Sequence, residues 1–106
     1  MDVKWSERIR PSGNTPFKQI NVSSESDWHM FDKVATYLEY KIDGVWLKKL
    51  DGLDQRYWDF ASGRGRITLH LEHYLGIMIF PTDFEAADEN SVILLSRAFS
   101  ELVNYD

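Results

Sequence analysis

Fifteen residues from Arg66 to Phe80, RITLHLEHYLGIMIF, alternate without a break. Ile67, Leu69, Leu71, His73, Leu75, Ile77 and Ile79 fall in one phase; Thr68, His70, Glu72, Tyr74, Gly76, Met78 and Phe80 fall in the other. That period of two is the signature of extended chain with one buried face. At about 3.3 Å per residue an unbroken strand of this length reaches roughly 50 Å. A compact chain of 106 residues has a radius of gyration near 13 Å, hence a diameter of about 35 Å. The ribbon must therefore fold back on itself. A two-residue hairpin loop would put Ile77 and Ile79 on the face of Thr68 and His70, whereas an odd loop or a bulge keeps Ile67, Leu69, Leu71, Ile77 and Ile79 together. The phase predicts a three-residue turn or sharp bulge at His73-Tyr74-Leu75, with Gly76 supplying the unusual backbone.

The rest of the chain supplies partners for this ribbon. Residues 1–16 carry Pro11 and Pro16 around Ser12-Gly13-Asn14-Thr15, a composition of turns and extended chain that reads as an N-terminal arm, flexible rather than paired, ahead of a single domain over 17–106. Phe17 to Val22 alternates as a half-buried strand. Ser24 with Asp27 resembles a capping box, and Trp28, Phe31, Ala35, Leu38 and Ile42 then step by three and four, giving a helix of about four turns in which Trp28 is a clear core residue. Asp43-Gly44 ends it, the glycine taking the left-handed conformation. Val45 to Leu50 and Arg56 to Ala61 are β-rich and bounded by Gly-containing hairpin connections. Thr82 with Glu85 repeats the capping pattern before a second helix with Val92, Leu95, Phe99 and Leu102 on its apolar stripe. The expected fold is α+β: one antiparallel sheet of four to five strands with two helices on one face, in the order strand, helix, strands, helix.

With both helices on one side, the reverse of the sheet faces water or a partner. Arg56, Trp58 and Phe60 share one face of their strand; Tyr57, Asp59 and Ala61 share the other. The expected binding surface is therefore Tyr57, Asp59, Thr68, His70, Glu72, Met78 and Phe80, because aromatics concentrate at interface cores. His70 and Glu72 could also ligate a metal or share a proton, with Asp59 nearby, as a small metal-dependent or ligand-binding enzyme would require. His73 points elsewhere, however, so no third ligand is in place, and a polar outer face is the simpler account. His29, Asp32 and Lys33 lie on the polar side of the first helix as solvated surface.

The chain has no cysteine, which excludes a disulfide framework and thiolate chemistry. It carries no phosphate loop and no nucleophile elbow, so no catalytic residue, metal or cofactor is assigned. Its net charge of -5 with scattered basic residues argues against nucleic acid and favours a basic protein partner. The N-terminus lacks a signal-peptide core and no apolar run approaches the roughly 20 residues of a membrane span, so a cytoplasmic protein is expected.

Tyr57-Trp58-Asp59-Phe60, Ile67-Thr68-Leu69-His70 and Glu72 to Ile77 resemble segments of small, uncharacterised bacterial single-domain families, some of them predicted immunity proteins for secreted toxins. The resemblance implies an acidic, non-enzymatic adaptor or immunity protein that blocks its partner by binding. Pairing of two copies through the reverse face is the alternative way of covering it.

Overall fold

The ribbon folds back where its phase requires. Strand β5 (Gly65–Glu72) and strand β6 (Gly76–Pro81) are antiparallel neighbours, with Leu71 opposite Ile77 and Leu69 opposite Ile79. The three residues between them are His73-Tyr74-Leu75, closed by the Leu75 amide donating to the Glu72 carbonyl at 3.0 Å. Tyr74 and Gly76 both take positive φ, 74° and 95°. All five aliphatics are buried on one face beneath the helices.

This is a computed structural model, and it describes residues 2–13 and 16–105. Among them are six strands and two helices: β1 (Lys4–Ile9), β2 (Pro16–Ser23), α1 (Trp28–Lys41), β3 (Val45–Asp51), β4 (Gln55–Ser62), β5, β6 and α2 (Glu89–Val103). The sheet runs β1-β2-β6-β5-β4-β3, every neighbouring pair antiparallel. The radius of gyration of the chain is 12.7 Å.

The fold is thus α+β with both helices on one face, but the sheet has six strands, not four to five. The additional strand comes from the segment read as an arm. Lys4–Ile9 pairs with Pro16–Asn21 along its whole length, and Trp5 stacks on Phe99 of α2 with ring centroids 4.6 Å apart. An edge strand needs only one row of hydrogen bonds and little apolar surface, so its charged sequence hid it. Asn14 and Thr15, assigned to a turn from sequence, lie outside the described residues.

Three local expectations shift. The N-cap of α1 is Asp27, not Ser24: its carboxylate accepts from the amides of His29 and Met30 at 2.9 and 3.2 Å. Asp27→Ala is expected to cost about 1 kcal/mol and Ser24→Ala almost nothing, measured as urea midpoints; equal losses would return the cap to Ser24. The end of α1 is not a left-handed glycine, because Ile42 leaves in extended conformation. Gly44 is instead wedged where a Cβ would meet the Ala61 carbonyl and the Phe60 ring. Helix α2 begins at Glu89 rather than near Thr82. Thr82 follows β6 directly, its amide donating to the Arg66 carbonyl at 3.0 Å, and residues 82–88 form the connection to α2. The stripe of α2 is rotated accordingly: Ser91, Leu94, Leu95, Ala98 and Leu102 are buried, while Val92 and Ile93 are exposed.

On the helix-covered side one charged side chain is driven inward. Arg56 pairs with Asp32 of α1 at 2.8 Å and Asp51 of β3 at 3.0 Å, and its guanidinium lies 4.3 to 4.6 Å from the rings of Trp28, Phe31 and Trp58. Trp28 is therefore no core residue. It is 38% exposed and caps the arginine from the edge. Asp32, read as solvated helix surface, is one of the arginine's partners.

Candidate functional site

The parity that sends the aliphatics under the helices sends the other phase of each strand to the reverse face. Register sets the rows. Leu50, Tyr57, His70 and Met78 lie side by side across β3, β4, β5 and β6, and Asn21 and Lys4 extend that row onto β2 and β1. Lys48, Asp59, Thr68 and Phe80 form the next row. All seven residues read from sequence as a binding surface, Tyr57, Asp59, Thr68, His70, Glu72, Met78 and Phe80, thus share one helix-free face. Their exposure differs from expectation. Thr68, His70 and Met78 are buried, His70 to 3% exposed, and only Tyr57 stands well into solvent.

One end of the face is also folded over, a feature that the sequence did not show. The connection after β6 turns back so that Phe84 stacks on Phe17 and meets Phe80 edge-on, with centroids 5.2 and 6.2 Å apart. Arg10, beyond β1, donates through Nε to the Phe84 carbonyl at 3.0 Å, and the Ser12 hydroxyl donates to the Glu85 carboxylate. Next to this overhang is a cleft of about 250 Å³ bounded by Arg8, Phe17, Tyr57, His70, Glu72, Phe80 and Phe84. An adjoining depression of about 270 Å³ continues past Tyr57, Phe80 and Phe84 to Leu50, Lys48 and Asp59. Arg8, Phe17 and Phe84 escaped the sequence reading because they sit in the supposed arm, at the start of the first predicted strand and inside the supposed second helix; only pairing brings them beside Tyr57.

His70 is held by directional contacts. The Tyr57 ring stacks on its imidazole at 4.0 Å, and Phe80 approaches edge-on at 5.9 Å. Its Nδ1 lies 3.1 Å from the Arg56 carbonyl oxygen and its Nε2 lies 3.3 Å from Glu72 Oε2. A carbonyl only accepts, so Nδ1 carries a hydrogen, and in the neutral ring Nε2 turns its lone pair toward the carboxylate. Thr68 is satisfied locally, donating to Asp59 at 2.7 Å and lying 3.0 Å from the Thr82 hydroxyl. Burial, reinforced by the Glu72 charge and opposed by Arg8, raises the Tyr57 hydroxyl above the ordinary tyrosine range. It therefore stays protonated near neutral pH. On the same face Gln19 is buried with Oε1 unpaired, its Nε2 donating to Asn21 at 2.9 Å.

Chemically the face offers aromatic surface and mixed charge. His73 stands in the β5–β6 turn, away from His70 and Glu72, and among the described residues no three His, Cys, Asp or Glu groups come together to hold a metal. Among the same residues no helix is long and apolar enough to cross a membrane.

These features define a six-stranded antiparallel α+β domain with a helix-free face partly roofed by its own aromatic loop. The chain belongs to the family described as a protein of unknown function, DUF3630, whose model matches residues 14–99. No curated protein and no solved structure matches the chain.

Proposed function

We propose that this is a non-enzymatic protein-binding domain, an adaptor or an immunity-type protein, that docks a basic partner through the helix-free face. The observation that carries the reading is the continuous run of Leu50, Tyr57, Phe80 and Phe84 along the two joined depressions, edged by Lys48, Asp59, Arg8 and Glu72. Apolar rings in a shallow basin with a charged rim are the usual anatomy of a protein interface. The net charge of -5 favours encounter with a basic protein. A bacterial immunity role agrees with the segment resemblance around Tyr57 and His70. The enzyme reading on His70 and Glu72 is carried less far, since His70 Nδ1 is committed to a carbonyl and, among the described residues, no third His, Cys, Asp or Glu joins the pair to hold a metal.

The test is a comparison of baits. The wild-type chain and Leu50→Asp are immobilised against lysate of the source cells, and each protein retained only by the wild type is purified and titrated. Leu50 is half exposed at the sheet edge, so the variant keeps its fold. A partner that binds the wild type and loses at least about tenfold in affinity with Leu50→Asp supports the reading. Identical retention by both baits, or none by either, overturns it.

A further inference from the structure

The contact between His70 and Glu72 calls for a hydrogen shared between two acceptors whenever the imidazole is neutral. With Nδ1 donating to the Arg56 carbonyl, a neutral His70 points a lone pair from Nε2 at Glu72 Oε2 across 3.3 Å. Two acceptors this close need a donor that serves both. A proton on Nε2 is one such donor. A primary ammonium is the other, because it is a compact cation with three donors that can bridge two acceptors while its stem stays in apolar surroundings. The cleft supplies those surroundings: Tyr57, Phe80 and Phe84 line it, and ring faces attract a cation directly. The Glu72 side chain is 33% exposed, and both it and the buried His70 line the cleft.

We propose that this cleft is an anchor pocket for one lysine side chain of the partner, its ammonium held between His70 Nε2 and Glu72 Oε2 and its methylenes along Tyr57, Phe80 and Phe84. The inference rests on the docking reading above and names the group that reading requires of a basic partner. Arg8, which also lines the cleft, repels a second cation beside that lysine.

The probe is Nα-acetyl-L-lysine amide, titrated into the ¹⁵N-labelled chain while the amide and imidazole resonances are followed. Saturable shifts centred on Tyr57, His70 and Glu72 at millimolar concentration are expected, as befits one isolated anchor. The capped norleucine and the capped Nε-acetyl-lysine, which keep the stem and lose the charge, should give none. Glu72→Gln should weaken the lysine probe by about tenfold or more at unchanged melting temperature. Absence of saturable shifts up to about 50 mM, or equal shifts with norleucine, overturns the pocket. Free L-lysine binding about tenfold tighter than the capped form would assign the site to a free amino acid instead and also overturn it. Failure of the probe with the Leu50→Asp contrast intact removes the anchor alone; loss of that contrast removes the docking face.

Discussion

Arg56→Ala is expected to lower the stability of this protein by roughly 3 kcal/mol, moving the urea midpoint down by about 2 M for a slope near 1.5 kcal/mol per M. The size of the effect comes from packing more than from charge. The Arg56 side chain is 7% exposed, whereas its partners Asp32 and Asp51 are 57% and 45% exposed. Once the guanidinium is gone, both carboxylates return to water at small cost, unlike a partner stranded in a dry interior. What remains is a hole between Trp28, Phe31 and Trp58, whose ring faces lose their cation and most of their contact area. Arg56→Met, which refills that space without charge, should therefore lose only about 1 kcal/mol. A methionine variant as unstable as the alanine one would show that the ion pairs dominate instead.

The same cluster sets an acid limit. The hydrogen bond from Arg56 chiefly, then the Trp58 indole and the charges of Arg56 and Lys49, hold Asp51 below its ordinary value of 3.8 against the opposing effect of burial. A carboxyl whose folded pKa is depressed contributes stability above its unfolded value, and that contribution fades as pH falls through the folded one. Wild-type stability should thus fall more steeply than that of Asp51→Asn below about pH 4, read as melting temperature against pH. Parallel acid legs would show that Asp51 carries none of the loss.

Gly76→Ala should be as damaging as the loss of Arg56, at about 3 to 4 kcal/mol. Gly76 opens β6 with φ of 95°, and a Cβ there would stand 2.1 Å from the Ser23 carbonyl oxygen and 2.8 to 2.9 Å from Ser24 backbone atoms. Those atoms belong to the chain leaving β2 for α1, which cannot yield without moving both elements. Gly63, in the β4–β5 hairpin, also has positive φ, 59°, but nothing lies within 4 Å of its would-be Cβ. Gly63→Ala should consequently cost only about 1 kcal/mol. The pair separates backbone conformation from close approach: similar losses at both glycines would mean that the β6 entry is free to shift, and chemical denaturation of the two variants decides it.

Alternation made the β5–β6 ribbon legible, together with its odd turn and the placement of His70, Glu72, Tyr57 and Asp59 opposite the helices, because the side-chain period of a strand is fixed by the backbone alone. The three-to-four stepping of Phe31, Ala35 and Leu38 located α1 for the same reason. Capping patterns misled at both helices: Ser24 and Thr82 each had an acidic residue three positions on, yet Asp27 caps α1 and residues 82–88 stay outside α2, which begins at Glu89. Strand β1 was invisible because an edge strand is recognised by its neighbour's unpaired amides more than by its own sequence.

For this chain, then, local periodicity determined which residues share a face and where the ribbon turns. Tertiary structure decided how much of that face is covered. His70 is buried where strand pairing stacks the Tyr57 ring on it, and Arg8 and Phe84 line the same cleft only because residues far apart in sequence meet there: β1 with β2, and Phe84 with Phe17. Burial depends on what the rest of the chain lays over a surface, and no repeat along the sequence records that.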